Sequence, residues 1–196
     1  MGKAAESSTA TQEDTVSDNN TWVSTSMPYL VPREKGQADA WGEEAAARGG
    51  KGTQRITHAG EVPAPAAVAD MLGIRAGEPV VVRRRVIELD GTPCELTDTY
   101  YPADIARGTS LAGTGKIRGG AVTYLAALGH IGVRVREDVT ARLPEDDERE
   151  ALRLGRDQPV LRLNRVTLDS EERPIQADMM VMPAHLQQLR YEIRIG

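Results

Sequence analysis

One stretch of this chain occurs twice, and the repetition restricts the folds that the chain can adopt. The first copy runs from Pro79 to Ile105 and the second from Pro159 to Leu186. Nine positions match in order, four at an offset of 80 residues and five at an offset of 81, after one insertion in the second turn. Each copy also follows a short helical pattern. The chain is therefore predicted to contain a duplicated helix-plus-hairpin unit.

The pattern of apolar and turn residues predicts helices alternating with antiparallel strands. Asp90-Gly91 is typical of a hairpin turn, and Pro144 followed by acidic residues is typical of the start of a helix. In chain order we expect a helix at 37–48, a strand at 52–62, a helix at 66–72, a hairpin at 80–101, a loop at 102–115, a helix at 121–129, a strand at 133–143, a helix at 144–155, the second hairpin and a terminal strand at 189–196. This order predicts an α+β domain with a mainly antiparallel sheet and helices packed on it.

Composition excludes several classes of function. The 196 residues suffice for one domain, and a net charge of −5 argues against a nucleic-acid-coating surface. The single Cys94 excludes an internal disulfide, and the three histidines lack the spacing of metal ligands, so no cofactor or metal is expected. The chain has neither an apolar run of roughly 18 residues nor a signal-peptide pattern, which predicts a cytoplasmic protein with no membrane association.

The N-terminal 35 residues differ in composition from the repeats. Residues 1–20 are small, polar and aperiodic, which predicts a disordered tail. The segment 21–35 carries two prolines among apolar residues and is predicted to be an extended arm rather than a helix. The sequence leaves open whether Trp22 and Tyr29 pack on their own domain or on a partner. Residues 36–196 form the predicted folded domain.

The motifs of residues 36–196 resemble a known family. They are GTQRI after a Trp-bearing helix, PAPAAVADMLGI, VVVRRRVIELDGTP, LTDTYYPADI, GGAVTYLAALG, LRLNRVTLDSEERPI and the closing LRYEIRIG. In this order they resemble the UTRA domain, the effector-sensing module of the HutC subfamily of GntR-type bacterial transcription regulators. The resemblance implies a chorismate lyase-like fold, a homodimer and a small-molecule pocket between the sheet and the helices.

The same resemblance implies a winged helix-turn-helix DNA reader before the domain. The stretch that precedes residue 36 is too short, too polar and too acidic for one. Two expectations follow: a sensor that lacks its reader, or a stand-alone sensor. In either case we expect no direct DNA binding by this chain alone.

The resemblance also assigns candidate ligand-binding residues. Phosphosugar-sensing relatives use two arginines spaced i and i+2 in the first hairpin, a glutamate in the return strand, a serine at the start of a helix and a glutamate in the second hairpin. The second arginine position is Ile87, and glycine or alanine replaces the serine. The candidates, including neighbours on the face of the return strand, are Arg85, Glu95, Thr97, Thr99, Gly120, Ala121 and Gln176.

These departures predict the type of ligand. A phosphate is held by bidentate arginines and by donors at a helix N-terminus. With one arginine and the serine hydroxyl missing, a phosphosugar is not expected, and a less charged ligand or one with a single carboxylate fits better. The register of the hairpin is open. A two-residue turn would place Arg84 opposite Thr97, and a three-residue turn including Thr92 would place Arg85 there.

Three classes of function remain after this reading. The first is a ligand-sensing domain of a transcription regulator that signals through the geometry of its dimer. The second is a chorismate-lyase-like enzyme, against which stands the lack of a Ser-His-Asp set or of paired carboxylates. The third is an interaction module without a usable cavity. We expect the first, and therefore no enzyme activity. We also expect Met179, Met180 and Met182 to fill the core.

Overall fold

The computed structural model describes residues 21–34, 37, 39–193 and 195, so the predicted tail lies outside the described residues. These residues contain five α-helices: α1 (Ala40–Ala47), α2 (Ala66–Leu72), α3 (Ala103–Ala106), α4 (Gly120–Ala127) and α5 (Asp146–Ala151). The strands are β1 (Trp22–Ser24), β2 (Gly52–Pro63), β3 (Pro79–Leu89), β4 (Thr92–Pro102), β5 (Arg134–Arg142), β6 (Val160–Leu168), β7 (Pro174–Pro183) and β8 (Gln187–Leu189). Short 3-10 helices occupy Met27–Tyr29 and Ser110–Ala112.

Six strands form one antiparallel sheet in the order β2-β3-β4-β7-β6-β5, and β1 pairs with β8 in a separate parallel ribbon. The predicted α+β class is confirmed. The helix–hairpin unit occurs twice, as α2-β3-β4 and as α5-β6-β7, and the two hairpins join through β4 and β7 at the centre of the sheet. The sequence repeat is therefore a repeat of structure.

The two hairpins share a bulge at equivalent positions. In the first, Ile87 faces Glu95 and Glu88 faces Pro93, which leaves Cys94 without a partner in the ladder. In the second, Ile175 is left over in the same way. Cys94 and Ile175 are 81 residues apart, the offset at which the return strands align.

The bulge decides the register that the sequence left open. Leu89 pairs with Thr92, so the turn contains only Asp90 and Gly91, both at positive φ (51° and 79°) as a type I′ turn requires. The unpaired Cys94 then shifts the strand by one residue and places Arg85 opposite Thr97. Of the two facing pairs that the sequence allowed, the Arg85–Thr97 pair is found, but the bulge produces it rather than a three-residue turn.

Helices cover both faces of the sheet. On one face, α2 packs on side chains that include Val80, Val82 and Tyr100. On the other face, the next residues along each strand, Val81 and Tyr101, pack with α3, the second 3-10 helix and α4. Neighbouring residues of one strand thus supply opposite cores, because side chains alternate along a strand.

Three predicted elements need correction. The segment 102–115 is not all loop, since it contains α3 and a 3-10 helix. The first helix begins at Ala40 rather than at residue 37, because the Asp39 carboxylate caps it by accepting from the Gly42 amide. The terminal strand ends at Leu189, and Ile193 is exposed. Its pairing strand β1 ends at Ser24, so the following residues have no ladder to join.

The N-terminal arm lies on its own domain. Trp22–Ser24 runs beside β8, and a 3-10 helix follows at Met27–Tyr29. Both the Trp22 indole N–H (3.0 Å) and the Tyr29 hydroxyl donate to the Glu44 carboxylate of α1. The Trp22 ring packs against Trp41 in a tilted arrangement, with the ring centroids 5.0 Å apart and the planes at 59°. The Arg48 guanidinium lies 4.0 Å from the centroid of the Trp22 ring. This settles the question that the sequence left open about Trp22 and Tyr29.

Candidate functional site

A cavity of about 590 Å³ lies between the sheet and the segments that cross it. Strands β3, β4, β6 and β7 supply most of its floor. The arm, the first residues of α1, the loop before α4 and the residues after β7 supply its walls. A cavity of this size suits a small organic ligand.

The floor is built from neighbouring rows of cross-strand partners. One row runs Arg83, Thr99, Asp178 and Arg165, and the next runs Arg85, Thr97, Met180 and Leu163. All eight side chains line the cavity. Because residues i and i+2 of a strand share a face, the bulged register brings the polar residues of both hairpins onto the same side of the sheet.

A hydrogen-bonded chain crosses the floor from the first hairpin to the second. The Arg85 guanidinium donates to the Thr99 hydroxyl (2.7 Å), and this hydroxyl donates to Asp178 (2.7 Å). The Gln176 amide donates to the other oxygen of Asp178 (2.8 Å). Thr99 and Asp178 are 1% and 3% exposed, so the buried carboxylate depends on these donors.

Arg85 retains capacity for a ligand. Apart from Thr99, its one hydrogen bond is a 3.5 Å contact to the Gln54 side-chain oxygen, and its Nε is buried without a partner. Within the described part of the chain it forms no ion pair. A guanidinium without a counter-ion in a cavity favours an anionic ligand.

Arg83 lies on the same face but has a different role. It is buried, and its guanidinium donates to the carbonyl oxygens of Ser110 (3.1 Å), Leu111 (3.5 Å), Gly113 and Gly115 (3.0 Å). Burial lowers the pKa of this guanidinium. Arg83 therefore holds the loop beside the cavity and has few donors left for a ligand.

Glu95 and Thr97 bring a carboxylate and a hydroxyl to the same floor. The Thr97 hydroxyl donates to the Glu95 carboxylate. Burial raises the pKa of Glu95, although the bond from Thr97 and the nearby Arg85 charge oppose the shift. In contrast to Arg85, this group does not favour an anion next to it.

Gly120 and Ala121 line the cavity at the start of α4. Gly119 and Gly120 both have positive φ (76° and 85°), a conformation that favours glycine. The Gly120 amide donates to the Ile117 carbonyl oxygen (3.1 Å), so it is used by the turn. The part of Gly120 and Ala121 in ligand binding stays a prediction.

Sequence reasoning missed Arg165. It lines the cavity, bonds Glu137 at 2.6 Å and donates to the Ser26 hydroxyl of the arm (2.9 Å). Burial alone would raise the pKa of Glu137, but the bonds from Ser26 and Arg165 outweigh it and lower that pKa. Arg165 is the repeat equivalent of Arg85 at an offset of 80 residues, a signal that could have identified it.

The methionines of the second hairpin have two roles. Met180 and Met182 are buried, as expected for core residues, but they also line the cavity. Met179 points to the other face and packs against the α2 core. The flexible thioether side chains of Met180 and Met182 give the cavity an adaptable apolar surface beside its charged residues.

Comparison with known proteins identifies the fold and the family. The model of the UTRA domain matches residues 47–186, most of the chain. The chain belongs to the UTRA domain family. An uncharacterized HTH-type transcriptional regulator of Rhizobium meliloti (strain 1021) is 32% identical over 142 residues, 72% of this chain and 57% of the relative.

Further similarity supports this assignment. The HTH-type transcriptional regulator GgaR of Escherichia coli (strain K12) is 23% identical over 167 residues, 85% of this chain and 65% of GgaR. The chain thus spans less than two thirds of the length of both curated relatives. The crystal structure of the effector domain of PhnF from Mycobacterium smegmatis superposes with a TM-score of 0.67 at 22% identity, over 84% of this chain and 98% of that one. The predicted chorismate lyase-like UTRA fold is confirmed.

The cavity of this UTRA domain is richer in cations than the chain as a whole. Six cationic side chains and three carboxylates line it, whereas the whole chain carries a net charge of −5. The carboxylates are Asp39, Glu95 and Asp178, and the cations are Arg33, Arg83, Arg85, Lys116, Arg165 and Arg190. Arg33 and Arg165 are paired with Glu43 and Glu137, which do not line the cavity, so four cations remain against three carboxylates. This smaller excess still attracts an anion.

Neither a metal centre nor a membrane segment is found in the described part of this UTRA domain. Its His, Cys, Asp and Glu residues form no cluster of three or more that could hold a metal ion. None of its helices is long and apolar enough to cross a membrane. The fold and the charged cavity are the features that bear on function.

Proposed function

We propose that this UTRA domain binds a small organic molecule with one anionic group and a partly apolar body, as the effector-sensing part of a HutC-type transcription regulator. The observation that carries the proposal is Arg85, a cation in the cavity that, among the described residues, has no ion pair and has a buried Nε without a partner. An anion placed there gains charge-assisted hydrogen bonds. The apolar side chains of Leu163, Met180 and Met182, which also line the cavity, suit an apolar body.

A phosphosugar fits this cavity poorly. Ile87 occupies the place of a second arginine. The N–H groups of Arg83 donate to carbonyl oxygens of the loop and are therefore not free to bind a phosphate. Glu95 and Asp178 would repel the second charge of a phosphate monoester. A single carboxylate meets Arg85 without this penalty.

Signalling requires that the ligand bind two conformations with different affinity. The arm is suited to transmit such a difference, because Ser24, Ser26 and Tyr29 line the cavity. We propose that ligand binding changes how this arm packs on the domain within a homodimer. DNA binding by this chain alone is not part of the proposal, and any binding at low salt should weaken steeply as salt is added.

The test is a ligand screen with a matched pair of variants. Native mass spectrometry and thermal shift against mono- and dicarboxylates, sugars and sugar phosphates should find a monoanion that binds the wild type. Arg85→Met should weaken its binding by about 10–100-fold, the effect of a lost charged hydrogen bond.

The control, Arg84→Met, removes the same charge from the opposite face of β3, where Arg84 pairs with Asp98 at 3.2 Å. It should leave affinity unchanged. A sugar phosphate as the tightest ligand, or equal binding by the Arg85 variant, would contradict the proposal.

Two other functions have less support. The relatives are transcription regulators, which suggests a regulatory domain rather than an enzyme. Incubating the protein with chorismate and following its consumption would test the lyase alternative. An interaction module without a cavity is disfavoured by the 590 Å³ of space beside Arg85.

A further inference from the structure

Two charged side chains of opposite sign line the cavity without an ionic partner among the described residues. They are Arg85, described above, and Glu95. The hydrogen bond that Glu95 accepts comes from the neutral Thr97 hydroxyl. Enclosed charges are normally paired, because a charge that is removed from water without compensation costs free energy. Arg85 and Glu95 therefore each favour a ligand group of the opposite charge.

The other two carboxylates that line the cavity are already compensated. Each oxygen of Asp178 accepts a hydrogen bond, at 2.7 and 2.8 Å. The Asp39 carboxylate pairs with Lys116 at 3.3 Å and caps the first helix. Within the described part of the chain, Glu95 is therefore the carboxylate of the cavity that is open to a cation from outside.

Arg85 and Glu95 are near each other but are held apart. Arg85 faces Thr97 across the β3–β4 ladder, and Glu95 precedes Thr97 by two residues on the same face. Diagonal neighbours of this kind are about 7–8 Å apart, within reach of long side chains. The Thr99 hydroxyl accepts from Arg85 at 2.7 Å and the Thr97 hydroxyl donates to Glu95, so each charge is bonded to a hydroxyl. A molecule that carries both charges can bind between them.

A buried amide adds an acceptor for an N–H group. Gln187 lies on β8 beside the arm, lines the cavity and is 6% exposed. Its side-chain oxygen is buried and has no hydrogen-bond partner among the described residues. Because buried polar atoms are almost always hydrogen-bonded, this oxygen favours a ligand that brings a donor.

Two aromatic residues that line the cavity, Tyr29 and Trp41, also favour a cation near Glu95. Burial, the hydrogen bond to Glu44 and then the nearby Glu95 charge raise the pKa of Tyr29. The Trp41 indole donates at 3.1 Å to the carbonyl oxygen of Glu88, which follows the strand partner of Glu95. An aromatic ring attracts an ammonium group that lies within about 6 Å of its centre.

We propose that the molecule sensed by this domain is a zwitterionic α-amino acid with an apolar side chain. Its carboxylate binds the Arg85 guanidinium, and its ammonium group binds Glu95 and donates to the Gln187 side-chain oxygen. Its side chain lies on Met180 and Met182. The inference rests on the proposed function, whose single anionic group it retains, and adds a positive charge to the ligand.

The α-amino acid is chosen over two related classes of zwitterion. It carries both charges on neighbouring atoms and leaves the rest of the molecule free to cover the apolar surface of Met180 and Met182. An unbranched ω-amino acid has no apolar branch for this surface. A quaternary ammonium carboxylate has no N–H group and would leave the Gln187 oxygen without a donor.

The test compares apolar amino acids with acids that lack only the amino group. The pairs are L-leucine with 4-methylpentanoate, L-methionine with 4-(methylthio)butanoate and L-phenylalanine with 3-phenylpropanoate. Isothermal titration calorimetry of the full chain near neutral pH measures each Kd. At least one amino acid should bind about 10–100-fold more tightly than its desamino partner, the effect of a charged hydrogen bond.

Glu95→Gln identifies the residue that binds the ammonium group. This variant keeps an acceptor for the Thr97 hydroxyl and removes the charge. It should abolish the preference for the amino acid and bind the desamino acid no more weakly than wild type does. Arg85→Met should weaken both members of a pair. Glu150→Gln, which removes an exposed charge on α5, is the control and should keep the preference. Circular dichroism verifies that each variant is folded.

Three outcomes would overturn the inference, and they are distinct from failure of the proposed function. A desamino acid that binds as tightly as its amino acid would exclude the ammonium contact but leave the carboxylate site at Arg85. An equal preference in wild type and Glu95→Gln would place the ammonium group elsewhere. If no member of any pair binds, the α-amino acid is excluded, and the wider screen for monoanions decides the proposed function separately.

Discussion

Two arginines of one strand show how position decides the role of a side chain. Arg83 and Arg85 are two residues apart in β3, so their side chains lie on the same face of the sheet. Arg83 lies under the loop before α4, and its guanidinium donates hydrogen bonds to carbonyl groups of that loop. Among the described residues, the Arg85 guanidinium donates to a hydroxyl and a side-chain amide group. The residue type predicts a cation at both positions, but only the loop above them determines which one can bind an anion.

The first prediction concerns the titration of Glu95. Burial raises the pKa of Glu95 in the folded state. The neutral carboxylic acid therefore contributes stability that is fully present below the unfolded pKa, near the ordinary value of 4.5. This contribution is lost as pH rises through the folded pKa. Glu95→Gln retains an acceptor for Thr97 and removes the titration. The variant should therefore melt above wild type at pH 8, with the difference shrinking toward pH 4. Equal differences at both pH values in differential scanning calorimetry would contradict this.

The second prediction concerns Thr99, the link between the two hairpins. Thr99→Val removes the donor to Asp178 and the acceptor for Arg85 at a site that is 1% exposed. Leaving buried polar groups without partners costs about 1–3 kcal/mol, a fall in Tm of roughly 2–12 °C for a domain of this size. Thr99→Ser keeps the hydroxyl and should recover most of the loss in thermal unfolding. Equal destabilisation by serine would assign the effect to the lost methyl group.

Sequence reasoning reached part of the site. The family resemblance assigned Arg85, Thr97 and Gln176, and strand periodicity added Glu95 and Thr99 as neighbours on the face of Thr97. All five line the cavity. Their role in binding stays a prediction. Arg165 was overlooked because the resemblance assigned no residue there, although the repeat did. The use of the Gly120 amide by the turn depends on loop geometry that no periodicity encodes.

At the scale of elements, the arm illustrates why some structure is not local. Its prolines predicted an extended chain, but β1 forms only where β8, far along the sequence, lies beside it. The same dependence explains the short terminal strand, since β8 ends where β1 ends. Helix α2 and the paired strands were predictable because their turns, their caps and their alternation of apolar and polar residues are encoded within a few residues.

The third prediction tests what holds the arm. Glu44 accepts hydrogen bonds from both Trp22 and Tyr29, and hydrogen bonds to a charged group are worth about 1.5–3 kcal/mol each. Glu44→Ala should therefore release the arm locally, and amide hydrogen exchange of residues 22–30 should accelerate by about tenfold or more while the sheet stays protected. Glu150→Ala, an exposed acid on α5, is the control. Unchanged exchange at the arm would show that the strand pairing alone holds it.

At the scale of the whole molecule, the duplication explains both the sheet and the cavity. Two helix–hairpin units join edge to edge through β4 and β7, and each gives one arginine, Arg85 or Arg165, to a common floor. A ligand on this floor contacts both units, and the arm adds a third contact. Binding should therefore stabilise the domain as one unit rather than one of its halves.

The last prediction follows from this arrangement. A monoanion at 100 times its Kd adds about 2.7 kcal/mol to the free energy of unfolding, or roughly 5–11 °C in Tm. Because both hairpins form the site, the unfolding transition should shift as a whole and remain single. Gln176→Leu in the second hairpin removes a donor from Asp178 and should weaken the same ligand as Arg85→Met in the first. Calorimetry with ligand present tests both expectations. A split unfolding transition would mean that the ligand binds one repeat alone. Affinity that falls in Arg85→Met but not in Gln176→Leu would mean the same.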